Sequence, residues 1–152
     1  MGNQIPAVLG RVILLVLLAG SVLMPTACGP NAAGINIVRE AGLESATALE
    51  IQERANNPET DELHQGSITD PVTIRELVEV LNRSLPLVPV SECLPQYSLR
   101  FRLADERVED FGYLCENGGS FLRGSQPFWR QEQVQPPAEF DELMGRIVSG
   151  LQ

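Results

Sequence analysis

Tyr97, Leu99, Phe101 and Leu103 alternate with Ser98, Arg100 and Arg102. Side chains along a strand point alternately to opposite faces, so this pattern predicts a half-buried strand with a defined inner row. Phe111, Tyr113 and Cys115 repeat the parity in a following strand, with Asp105-Glu106 between the two. A connection that sets Phe101 opposite Phe111 also sets Leu99 opposite Tyr113 and Tyr97 opposite Cys115. On the outer face it brings Arg102 to Asp110. Such a register needs an odd loop of three or five residues with a bulge, because a two-residue turn would place Phe101 against Asp110. Upstream, Thr47, Leu49 and Ile51 alternate with Glu50 and Gln52, predicting a strand over 46–54. Leu63 to Thr69 supplies a short partner, and the acidic segment 56–62 forms the loop of that hairpin. Asn117-Gly118-Gly119 marks a turn into a short strand over Ser120–Arg123, and Gly124 to Pro127 turns again into Phe128-Trp129-Arg130.

Two stretches carry the helical period instead. Asp70 can cap a helix whose first position is Pro71, and Ile74, Leu77, Val78 and Leu81 then recur at i, i+3, i+4 and i+7. That helix should end at 82–85, before Pro86. A loop over 133–137 leads to a second helix opened by Pro137, with Phe140, Leu143, Met144, Ile147, Val148 and Leu151 as its apolar stripe. The resulting order, β-β-α-β-β-β-α, predicts an α+β fold: a small, mostly antiparallel sheet with two helices packed on one face and solvent on the other.

The N-terminus reads differently. Val12 to Met24 is an apolar run of 13 residues, preceded by Arg11 as the sole charged side chain before Arg39. This length suits the apolar region of a secretory signal; a spanning helix needs roughly 18 residues or more. Thr26-Ala27-Cys28 follows at once and resembles the lipobox of bacterial lipoproteins, with Pro25 standing where that family usually has leucine. The resemblance implies a signal peptide over 1–27 and acylation of Cys28, which places the protein at the cell membrane on its extracytoplasmic side. An ordinary cleaved signal, giving a secreted chain, and an uncleaved anchor are the alternatives. Residues 28–45, rich in Gly, Ala and Asn at their start, read as a flexible tether, and 46–152 as one domain.

Charge narrows the partners. The chain of 152 residues has 11 Arg, no Lys and 20 acids, for a net charge of -9. Loss of Arg11 with a signal peptide takes this to -10, since every acid lies downstream. Nucleic acid is excluded as a partner held by a net positive field, and no polybasic segment reinforces an acyl anchor. With Cys28 assigned to lipid, Cys93 and Cys115 remain as an even pair in an exported chain, which predicts a disulfide; a metal pair is the weaker alternative, without CxxC spacing or a neighbouring His. One His cannot build a multi-His metal site. No cofactor is called for.

Candidate chemistry is sparse. A serine nucleophile would need His64 as its base, and the chain has no GxSxG elbow. Paired acids occur at Glu59/Asp61/Glu62, Asp105/Glu106 and Glu109/Asp110. A hydrolase using them is an alternative function, but it needs two carboxylates converging across a cleft; solvated acidic loops are the simpler reading. The segment from Leu122 to Arg130 contains the single Trp. One reading makes it a recognition loop in which Trp129 stacks while Arg123 and Arg130 pair with carboxylates or anions. The other makes Phe128 and Trp129 a cap on the core. Ile68-Thr69-Asp70-Pro71 with its helix, the Cys-x-x-x-Tyr-x-Leu-x-Phe strand and Leu122-Arg123-Gly124 are similar to small domains of unknown function in secreted bacterial lipoproteins. That resemblance supports the α+β fold and the extracytoplasmic location; the export signal, together with the lack of a catalytic set, predicts a lipid-anchored, non-catalytic module that contacts the bilayer through Cys28 and binds another envelope protein or a small ligand.

Overall fold

Alternation of apolar and polar side chains becomes, in three dimensions, one antiparallel sheet. The computed structural model describes residues 34–54, 64–115, 119–126 and 132–151. Its elements are β1 (Gly34–Ile35), α1 (Ile37–Ala41), a 3-10 turn (Leu43–Ser45), β2 (Ala46–Glu53), β3 (Gln65–Ile68), α2 (Pro71–Leu81), β4 (Leu85–Pro89), β5 (Tyr97–Leu103), β6 (Val108–Cys115), β7 (Gly119–Gly124), β8 (Glu132–Val134) and α3 (Ala138–Ser149). The strands run in the order β1-β4-β8-β7-β6-β5-β2-β3. Inward residues of β2, β5, β6, β7 and β8 form one apolar cluster with Ile37, Val38, Ile74, Leu77, Leu81, Phe140, Leu143 and Met144 of the helices. The fold is thus α+β with helices on one face, but three helices share that face where two were expected.

Residues 34–45 correct the expected tether. Asn36 caps α1 by accepting from the Arg39 N–H, Gly42 ends it in the left-handed region, and Ile37, Val38 and Leu43 are fully buried. A turn and a half of helix is too short for its pattern to stand out, so a small-residue stretch concealed three core side chains. Residues 28–33, including Cys28, lie outside the described residues.

The β5–β6 hairpin has the expected parity and a different register. Leu99 faces Phe111, Tyr97 faces Tyr113, and Phe101 faces Glu109. The loop is the three-residue Ala104–Asp105–Glu106, closed by the Leu103 N–H donating to the Arg107 carbonyl at 2.8 Å. It is centred one residue earlier than expected because Glu106 takes the left-handed position, φ 67°, that closes this kind of loop. Two consequences follow. Asp110 lies opposite Arg100, not Arg102, and accepts from its Nε at 2.9 Å, while Arg102 donates to Glu50 at 2.6 Å. Glu109 falls on the inner row, buried, and its carboxylate accepts from Arg107 and Gln126.

The capping and stripe of α2 are as expected. Asp70 accepts from the Thr73 N–H at 2.9 Å, and Ile74, Leu77 and Leu81 are buried. Thr47 departs from its row: a bulge between Ala46 and Ala48 turns it outward, where its hydroxyl donates to the Arg102 carbonyl. The strands β4 and β8 were not expected. β4 carries Pro86 and Pro89, which normally argue against a strand interior; its partners β1 and β8 pair with it over only two and three residues. Gln133 and Val134, read as loop, are buried in β8.

The outer sheet face is also less open than expected. At Leu114 the backbone enters the left-handed region, φ 61°, and pairing with β7 slips between Tyr113 and Cys115. Parity therefore reverses: Leu114 packs against the core, and Cys115 is buried outside that cluster. There it joins Cys93 in a disulfide, with the two Cα atoms 6.2 Å apart. Residues 90–96 form a strap over this part of the sheet. Ser91 donates to Gln133 through its N–H and hydroxyl, and the Gln96 N–H donates to the Leu114 carbonyl at 2.8 Å. Pro95 rests on Gly112, where an added Cβ would lie 2.7 Å from the proline ring. Gly112→Ala is therefore expected to lift the strap and to destabilise the domain by about 1–3 kcal/mol, the usual cost of overpacking, measured by thermal melting.

Candidate functional site

Two polar clusters meet at one end of the sheet. The first is built by the β2–β3 hairpin. Glu53 shares the inward row of Leu49 and Ile51, and the hairpin brings His64 across from it: the His64 N–H donates to Glu53 Oε2 at 3.0 Å, and the ring Nδ1 lies 2.6 Å from the same oxygen. Gln96 donates to the other oxygen at 3.2 Å. Burial alone would raise the Glu53 carboxyl, but the hydrogen bonds from His64 and Gln96 and the His64 charge together hold it below its usual value.

The second cluster joins α3 to the strands. Asp141 sits in the first turn of α3, one residue after the buried Phe140 and in line with Met144 and Val148. Its carboxylate accepts from the Tyr113 hydroxyl at 2.8 Å and from the Ser120 hydroxyl at 2.6 Å. Tyr113 is packed edge-on against Phe140, with ring centroids 5.5 Å apart, and lies 6.3 Å from the Tyr97 ring. Burial, then the hydrogen bond and charge of Asp141, push the Tyr113 hydroxyl well above the ordinary tyrosine range. Burial, with the Glu53 charge, does the same more weakly to Tyr97.

Between these clusters lies a cavity of about 430 Å³, within the range of small-molecule sites. Its polar groups are His64, Tyr97, Tyr113, Ser120 and Asp141, and its apolar wall is Leu114, Met144 and Val148. Gly145 stands at the mouth, with no atom within 4 Å of where its Cβ would be. Among the described residues, no arginine lines the cavity. Asp141 therefore gives it negative character, and both hydrogen bonds that this carboxylate accepts come from neutral hydroxyls. The site can take a hydrogen-bond donor or a cation with an apolar body.

Of these groups the sequence brings forward only His64, as a base without a serine elbow, although two signals for the others are present. A hairpin over 46–69 places the ends of its strands side by side, and Asp141 interrupts the face of an otherwise apolar helical stripe. Of the residues that were singled out, Cys93 and Cys115 form the disulfide. Arg123 lies on the outer face, stacked over Phe121 with its guanidinium carbon 5.6 Å from the ring centroid, and donates to the Ser91 carbonyl at 3.5 Å. Cys28, Trp129 and Arg130 lie outside the described residues, as do Glu59, Asp61 and Glu62. The other acid pairs do not converge: Asp105 is held by Arg107 in the turn, Glu106 is exposed beside it, and Glu109 and Asp110 point to opposite faces. Among the described residues, no group of three His, Cys, Asp or Glu could hold a metal ion, and no helix is long and apolar enough to cross a membrane.

No family model, curated protein or solved structure matches the chain.

Proposed function

We propose that this protein is an extracytoplasmic lipoprotein, anchored in the cell membrane by acylated Cys28, whose domain is a non-catalytic binding module for a small organic cation. The observation that carries the ligand class is the cavity beside α3. Among the described residues it offers one carboxylate, two tyrosines and an apolar wall, with no arginine to compete for the carboxylate. A part-buried carboxylate beside an apolar wall favours an ammonium group over its neutral analogue. The anchor rests on the lipobox-like Thr26-Ala27-Cys28 after an apolar run, and on a paired Cys93 and Cys115 that leave Cys28 as the odd cysteine.

Benzylamine titrated into the purified protein, followed by amide chemical shifts, tests the ligand class. Saturable binding is expected, at least tenfold weaker in Asp141→Asn and blocked in Gly145→Leu, which fills the mouth and which a helix accepts more readily than glycine. Equal binding of benzyl alcohol would remove the cation from the reading. For the anchor, Cys28→Ser expressed in a bacterium that processes lipoproteins is expected to leave the membrane fraction; retention there would defeat acylation as the anchor.

A further inference from the structure

We propose a second ligand site on the opposite face of the sheet, where a groove between Arg54 and Arg123 binds an oxyanion, the carboxylate or phosphate of a small organic molecule. The arginines of this acidic domain are mostly neutralised. Arg39, Arg83, Arg100, Arg102, Arg107 and Arg146 each lie within 4.0 Å of a carboxylate. Arg54, Arg75 and Arg123 form no ion pair among the described residues, and two of these three border the same groove. Arg123 has only a 3.5 Å hydrogen bond to the Ser91 carbonyl and the face of Phe121. Asp110, the single carboxylate among the described residues of the groove, is turned onto Arg100 at 2.9 Å. Two like charges that share a groove and have no counter-ion among the described residues raise the energy of the empty groove, and an oxyanion relieves this while filling the planar fork of a guanidinium.

The groove is also built. The disulfide-bound strap, seated on Gly112 through Pro95, supplies one wall, and Ser98 and Ser125 also line the groove. Its volume of about 290 Å³ suits one small molecule. Long-range electrostatics oppose anion binding by a chain of charge -9, so any saturable binding must come from short-range contacts, which salt screens less than it screens distant charges.

Phenyl phosphate and benzoate, each titrated into the whole protein at about 0.1 M ionic strength and followed by amide shifts, test this. Saturation by one or both is expected; the better probe identifies the oxyanion. Arg54→Gln, at an exposed position, should weaken binding at least tenfold, and Arg123→Lys, which keeps the charge and loses the fork, should weaken it several-fold. Arg75→Gln and Asp141→Asn should leave it within twofold. Absence of saturation by both probes, or an equal loss in Arg75→Gln, would overturn the proposal. Because Asp141 belongs to the other cavity, its variant separates the two sites: either can fail while the other stands.

Discussion

Replacing Cys93 and Cys115 together with alanine is expected to remove about 3 kcal/mol of stability and to lower the melting temperature by roughly 10–15 °C. The bridge closes a loop with a sequence separation of 22, and cross-linking so long a loop restricts the unfolded chain considerably. The folded state adds to the effect. The strap over 90–96 contains no regular element; besides the disulfide it is held by the hydrogen bonds of Ser91 and Gln96 and by the contact of Pro95 with Gly112. Phe121, 2% exposed yet outside the main core cluster, belongs to this side of the sheet. Calorimetry of the wild type with and without reductant, against the double variant, is the measurement. The reduced wild type and the variant should melt together. A loss below about 1 kcal/mol would mean that the strap holds without its bridge.

The parts of the fold that could be read from the sequence are those whose pattern is long. Seven alternating residues in β5 and the stripes of α2 and α3 each repeat often enough to fix a face. The Cys93–Cys115 bridge could be read because its logic is parity and compartment, not geometry. What escaped reading was short or depended on a single backbone angle. β4 and β8 span five and three residues, and the prolines of β4 mimic loop chemistry. The β5–β6 register moved because Glu106 adopts a left-handed conformation that no pattern announces, and that shift put Glu109 inside. Likewise Leu114 reverses the parity of β6, which separates Cys115 from the row of Tyr113. Both candidate sites assemble from residues far apart in sequence: Glu53 with Gln96, Tyr113 with Asp141, Arg54 with Arg123. Such pairs have no sequence period, so only the sheet order reveals them.

Asp141→Ala is expected to cost on the order of 2–4 kcal/mol, because it removes the acceptor of two hydroxyl donors at once. Hydrogen bonds to a charged acceptor are worth more than neutral ones, and Tyr113, 4% exposed, has only the cavity to turn to when its partner goes. Tyr113→Phe alone should cost less, since it leaves Asp141 bound to Ser120 and within reach of cavity water. A double-mutant cycle on Tyr113 and Asp141 should show coupling of about 1–2 kcal/mol. The pH dependence gives an independent check. Tyr113 titrates above its ordinary value when folded, so folding favours its neutral form. The associated stability is fully present below the unfolded value of about 10 and declines as pH rises above it. In Asp141→Ala the part due to the hydrogen bond and the negative charge disappears while the part due to burial stays, so the alkaline decline should be shallower. Denaturant melts at neutral and alkaline pH on the four proteins of the cycle measure both effects. Parallel declines in wild type and Asp141→Ala, with negligible coupling at neutral pH, would mean that water already satisfies the Tyr113 hydroxyl, and that Asp141 is free to meet a ligand at no cost to the fold.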